Sequence, residues 1–372
     1  MMLRCQHVAV LVAVLNACLI AGSAHGQEPG AKSHAERLEY DPAADEWKAV
    51  AAPIAGTEDG DLELARALLA KNEIRQARKA LKRWRKKYPD STRRPEALFY
   101  SADVEVTAIQ AGRDADLMRA YKWYEEILDN WAGSEWAERA LRRELLVAEM
   151  FLFKGVRQWV WGGVLRFGAT DEALEMLDRL IDDRAPGTPL AEQAMRLKSD
   201  YLYQAGEFAE AEDAYARLAR DFPRGRFERH ALLRSAQAAN ANFPGIPFDD
   251  SSLLEADERF RRFAAQFPDA AAAEGVDRLL GEIRHKRAEK EFSIGRYYER
   301  TKSPRAAIYY YRFVLEHWAD TPFGAQARQR LVALGALPAA ATIPVEPADA
   351  PVNTPAPIES PTNPDDSGSA LR

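Results

Sequence analysis

The sequence predicts an all-α fold, a solenoid of about six helix-turn-helix units closed by a capping helix. Three observations predict it. Alanine recurs at Ala77, Ala120, Ala173, Ala211, Ala256 and Ala307. Bulky apolar residues follow four positions on (Leu81, Tyr124, Leu177, Tyr215, Phe260, Tyr311) and seven positions on (Trp84, Ile127, Leu180, Leu218, Phe263, Val314). Twelve positions on stand Pro89, Ala132, Ala185, Pro223, Pro268 and Ala319, where the helix is expected to stop.

Positions i, i+4 and i+7 share one face of a helix. A small residue on that face lets the preceding antiparallel helix approach closely, and the bulky pair fills the groove on either side. Proline then ends the helix, because the residue before it avoids helical dihedrals. Ala65 and Leu68 stand before Ala77 as Gly295 and Tyr298 stand before Ala307, and Gly206 and Phe208 mark the turn before Ala211. Six units in one register define an irregular tetratricopeptide-repeat (TPR) α-solenoid over residues 58–337. Successive alanines lie farther apart than the roughly 34 residues of an ideal unit, so the surplus falls in inserts. One is Asn240–Ser252. Another is Arg157–Ala169, where Trp159, Trp161 and Phe167 either form an exposed contact or fold back between units. Asp320–Gly335 reads as the terminal capping helix that a solenoid needs.

The ends differ in composition. Residues 1–26 run from basic (Arg4) through apolar (Val8–Ile20) to small residues, the order of a secretory signal peptide. Both cysteines, Cys5 and Cys18, lie inside it. Leu15-Asn16-Ala17-Cys18 resembles a lipobox, which would place a lipid on Cys18, while the small residues near Gly26 favour an unlipidated start. Residues 27–57 read as an extended tether. From Pro338 to Arg372 there are eight prolines, a composition that favours solvated, disordered chain.

Composition and motifs exclude several functions. Lys and Arg number 51 against 57 Asp and Glu, which gives no general reason to bind nucleic acid. No HExxH, GxSxG, GxxxxGK[ST] or GxGxxG occurs, and His34, His230, His285 and His317 lack neighbours at metal-ligand spacing. The reading is therefore a non-enzyme with no cofactor or metal. The densest charge run, Lys71–Arg94, holds eleven bases against Glu73 and Asp90. Arg75, Lys79, Lys82 and Lys86 lie on one side of its helix, where they either steer an acidic partner or form a solvated outer face.

The repeats also resemble a known family. Leu253-Leu254-Glu255-Ala256-Asp257-Glu258-Arg259-Phe260, Arg287-Ala288-Glu289-Lys290-Glu291-Phe292, Gly295-Arg296-Tyr297-Tyr298, Ala306-Ala307-Ile308 and Val314-Leu315-Glu316 are similar to the C-terminal half of the outer-membrane protein assembly factor BamD family. Ala191–Pro223 resembles its middle repeats. The resemblance implies a scaffold on the periplasmic face of the outer membrane, touching the membrane only through an N-terminal lipid. It implies C-terminal repeats that hold the barrel-forming subunit and N-terminal repeats that receive unfolded barrel proteins. Arg296, Arg305, Tyr309 and Tyr310 are the exposed candidates at that C-terminal end, since aromatic and Arg residues dominate binding hot spots. A general periplasmic TPR adaptor for cell-wall or division enzymes is the alternative. Intact-mass analysis of the mature protein should find a start near Gln27 or an acylated Cys18. A mature chain that keeps Cys5 would contradict secretion.

Overall fold

The computed structural model describes residues 37–41, 46–50, 54–155, 157–160 and 165–338. The signal segment with Cys18, Trp161 and the chain beyond Pro338 lie outside the described residues. The chain divides into two compact units, Met1–Ala173 and Leu174–Arg372.

The first unit contains a hairpin of β1 (Arg37–Asp41) and β2 (Glu46–Val50), then α1 (Glu58–Ala70), α2 (Ile74–Lys87), α3 (Arg94–Gln110), α4 (Leu117–Asn130) and α5 (Glu135–Phe153). A second hairpin, β3 (Arg157–Val160) with β4 (Leu165–Gly168), follows. Helix α6 (Thr170–Arg179) starts at the end of this unit and runs on as a π turn, Leu180–Arg184. The second unit continues with α7 (Pro189–Ala205), α8 (Phe208–Asp221), α9 (Glu228–Ala241), α10 (Ser251–Gln266), the short α11 (Pro268–Ala273), α12 (Val276–Arg300), α13 (Pro304–His317) and α14 (Pro322–Ala333).

The all-α expectation holds for the repeats, and α14 occupies the place of the capping helix. It needs one correction: both hairpins are antiparallel β. The first lies within the segment read as a tether, and the second within the Arg157–Ala169 insert. Backbone pairing is not announced by a helical period, so a search for that period passes over both.

The repeat register is the fold's main determinant. All eighteen residues at the alanine, i+4 and i+7 positions are at most 1% exposed. The first helix of a pair supplies the opposing small residue twelve positions earlier: Ala65, Ala108, Ser199 or Gly295, all buried. At Gly295 the fit is closest, because an added Cβ would stand 2.6 Å from the Tyr311 ring. In three units the tight turn between paired helices places a left-handed residue five before the alanine. Gly206 (φ 87°) fills this place without strain, while Asn72 (φ 58°) and Lys302 (φ 60°) hold it in their units.

Proline is not what ends the second helix. In five units the helix stops on an aromatic residue eleven after the alanine: Tyr88, Trp131, Phe222, Phe267 and Trp318. Each leaves the helical region, and its N–H donates to the carbonyl of the i+7 residue at 2.8–3.1 Å. The ring packs back on that same residue in the pairs Trp84–Tyr88 and Phe263–Phe267. The stop falls at the same position whether proline or alanine comes next. In the remaining unit Arg184 takes the aromatic place. There the helix runs one residue further, and the Ala185 N–H reaches back to Leu180 O at 3.0 Å. Pro268 goes further and opens α11 at once.

Large core aromatics bring polar tips that need partners. The Trp84 Nε1–H donates to Glu58 O (2.8 Å), the Tyr215 hydroxyl to Asp200 (2.6 Å) and the Tyr311 hydroxyl to Glu299 (2.8 Å). Gly295→Ala should therefore cost about 1–3 kcal/mol by overpacking against Tyr311, read as a drop in the denaturation midpoint at unchanged slope. Neutral behaviour would place the helix contact elsewhere.

Candidate partner-binding surfaces

In the first unit, α2 carries the densest basic run, and its bases separate by helix face. Arg75, Lys79, Lys82 and Lys86 are all exposed and form no ion pair among the described residues. Others in the run are engaged. Lys87 pairs with Asp61 at 3.1 Å, Arg94 with Glu126 at 2.8 Å, and Arg93 bridges Asp59 and Glu96. The four residues predicted to lie on one side thus form a free cationic face.

The structure also shows a site that sequence reasoning missed. Glu105 of α3 is fully buried, and both its oxygens accept from Arg78 (2.9 and 2.8 Å), with a third guanidinium bond from Arg119 at 2.9 Å. Arg85 and Arg119 stand over the Trp123 ring at 4.4 and 5.4 Å. These groups line a groove of about 330 Å³ floored by Leu81 and Ser101, with Lys82 on its rim. The available signal was a carboxylate set between two valines of a helix, Val104-Glu105-Val106. Such a charge is kept only where bases meet it.

In the second unit, α8, α9 and α10 enclose a groove of about 530 Å³ lined by Ala216, Leu232, Ser235, Glu255 and Arg259. Beside it Arg259 donates to Glu212 at 2.7 Å. Burial, together with the hydrogen bond that protonated Glu212 donates to the neighbouring Glu255 carboxylate, nevertheless raises the Glu212 carboxyl to about 7 against the pull of Arg259. Asp200 behaves oppositely. Burial opposes its charge, but His230 (2.9 Å), Tyr215 (2.6 Å) and Arg196 (2.5 Å) together hold its pKa below the ordinary carboxylate value.

The C-terminal end of this unit carries an aromatic strip. Tyr298 stacks on Tyr310 at 5.5 Å and 10°, Tyr309 meets Tyr310 edge-on, and Phe313 continues to His317 and Trp318. Tyr309 is 62% exposed and Tyr297 54%, so the strip ends in open rings. Arg296 and Arg305 are exposed as expected. Tyr310 is not: its stack on Tyr298 half-buries it, and it supports its neighbours instead of presenting a free face. The sequence reading also passed over Tyr297, an exposed ring next in the chain to Arg296.

These paired helices define the class of protein: a tetratricopeptide-repeat (TPR) α-solenoid. Residues 59–91 match a tetratricopeptide-repeat family model. Residues 164–336 match the family model described as outer membrane lipoprotein, and over them the BamD-family resemblance read from the sequence is shown. The outer membrane protein assembly factor BamD of Rickettsia prowazekii is 24% identical over 147 residues, which are 40% of this chain and 59% of that protein's length. Among solved structures, the C-terminal part of a TPR protein from Cytophaga hutchinsonii is 12% identical. It covers 73% of this chain and 88% of its own, with a TM-score of 0.38. A tetratricopeptide repeat protein from Parabacteroides merdae is 11% identical, covering 73% and 97%, with a TM-score of 0.35. Neither likeness bears on function.

Glu212 gives a pH signature. A folded-state pKa of about 7 against an ordinary 4.5 means that the folded form holds the extra proton between those values. Stability should therefore fall as pH rises through that window. Glu212→Gln, which keeps an acceptor for Arg259, should flatten the profile, with a gain on the order of 2 kcal/mol at pH 8. Parallel melting profiles for the two proteins from pH 5 to 8 would refute the shift.

Proposed function

We propose that this chain is a non-enzymatic scaffold of the machinery that assembles β-barrel proteins into the outer membrane. The observation that carries the reading is the match of residues 164–336 to the outer membrane lipoprotein family, joined by the similarity to BamD. It accords with a chain built of contact surfaces. Among the described residues no group of His, Cys, Asp and Glu is arranged to hold a metal ion, and no helix is long and apolar enough to cross a membrane. Lipid at Cys18 would hold the chain at the periplasmic face of the outer membrane, whereas cleavage near Gly26 would leave it free in the periplasm.

Within this reading the two units take different tasks. The strip around Tyr297 and Tyr309, flanked by Arg296 and Arg305, docks the barrel-forming subunit. Open aromatic rings beside guanidinium groups supply apolar area at low entropic cost together with orientation. The α2 face, with Arg75, Lys79, Lys82 and Lys86, steers unfolded clients. Exposed, unpaired bases of one sign raise encounter rates with acidic partners and lose that effect in salt.

Affinity capture with the full-length chain separates the two tasks. Tyr309→Ala with Arg305→Glu should reduce co-purification of the barrel-forming subunit at least ~tenfold, the scale of one hot-spot pair, with no change in melting temperature. Unchanged capture, or recovery of cell-wall and division enzymes alone, would favour a general periplasmic adaptor.

A further inference from the structure

The cleft between α12 and α14 has a charge that nothing among the described residues balances. It encloses about 480 Å³ and is lined by Phe292, Arg296, Glu299, Arg300, Gln326 and Arg330. Phe292, 5% exposed, forms its floor and packs on Tyr311 and Phe323. Glu299 is the one carboxylate of the lining, and its oxygens are taken by the Tyr311 hydroxyl (2.8 Å) and by the Arg330 guanidinium (Nε at 3.1 Å). Arg296 and Arg300, one turn apart, are exposed and form no ion pair among the described residues. The cleft thus offers two free guanidinium groups over an apolar floor. Such a surface suits carboxylate side chains carried on an extended backbone.

We propose that the occupant is the chain's own proline-rich segment, residues 339–372. Charge is the first argument. The segment holds Glu346, Asp349, Glu359, Asp365 and Asp366 against one base, Arg372. Placement is the second. The Ala336 N–H donates to Leu331 O at 2.8 Å and Arg312 reaches Ala336 O at 3.4 Å, so the segment departs from the C-terminal end of α14, close in sequence to Arg330. The eight residues that follow Pro338, up to Glu346, span up to roughly 25 Å when extended, and the later acids reach farther. Composition is the third, because closely spaced prolines favour extended backbone and reduce the entropy lost on docking. A tether of this length also holds its acids at an effective concentration of roughly millimolar, so weak individual contacts suffice.

Full-length chain carrying Gln326→benzoylphenylalanine tests this, since Gln326 is exposed on the cleft rim. Equal parts of ¹⁴N- and ¹⁵N-labelled protein are irradiated together and the crosslinks mapped by mass spectrometry. Crosslinks into residues 344–366 of the same isotope are expected, falling at least ~fivefold in 1 M salt, where free charges are screened within a few ångströms. The same loss is expected with Arg296→Glu and Arg300→Glu, and with Arg296→Gln and Arg300→Gln should the reversed pair fold poorly. Absence of tail crosslinks, crosslinks mainly between the two isotopes, or a yield indifferent to salt and charge would overturn the assignment. The test reads only the cleft, so it fails or succeeds independently of the assembly role.

Discussion

In four of the six units the close approach of two small residues across the helix pair is the contact on which the rest depends. Where a buried Ala65, Ala108, Ser199 or Gly295 stands in the helix that precedes the register alanine, the i+4 and i+7 side chains are buried beside it. All eighteen register positions are nearly completely buried, in the four units with that small pair and in the Ala173 and Ala256 units without it. Exact shape matters here because the interior is close-packed, and the place where a Cβ would strike Tyr311 leaves least room for change. Surfaces inherit their order from the same contact. With one face of each second helix fixed inward, the bases of α2 and Tyr309 and Tyr310 of α13 are held on the remaining faces.

Much of this was legible because packing leaves a period in the sequence. The small residue with its bulky partners at i+4 and i+7 identified the core of six second helices. The stop signal was misassigned. Proline at i+12 was conspicuous, yet the aromatic at i+11 is the residue that leaves the helix, as the alanine-followed stops at Trp131 and Trp318 demonstrate. The unit lacking that aromatic ends in a π turn, which accounts for the exception with the same rule. The hairpins escaped because five- and four-residue strands carry too little alternation to stand out.

Surface residues were legible as far as their helix phase. Arg75, Lys79, Lys82, Lys86, Arg296, Arg305 and Tyr309 are exposed where the period put them. What the period lacks is information about pairing between distant segments. It could not tell that Arg78 and Arg119 converge on Glu105, or that Tyr310 spends its face on Tyr298. Nor could it foresee that burial and Glu255 raise Glu212 while three hydrogen-bonding partners lower Asp200. Two carboxylates of ordinary appearance in the sequence thus titrate in opposite directions, each set by its neighbours.

The family match over residues 164–336 directs attention to outer-membrane assembly. Controlled depletion of the chain from its native cell, with quantitative proteomics of the isolated outer membrane, tests that account most directly. The account predicts that integral β-barrel proteins fall together before cell shape or division changes. Normal barrel levels alongside a septation or cell-wall defect would contradict it.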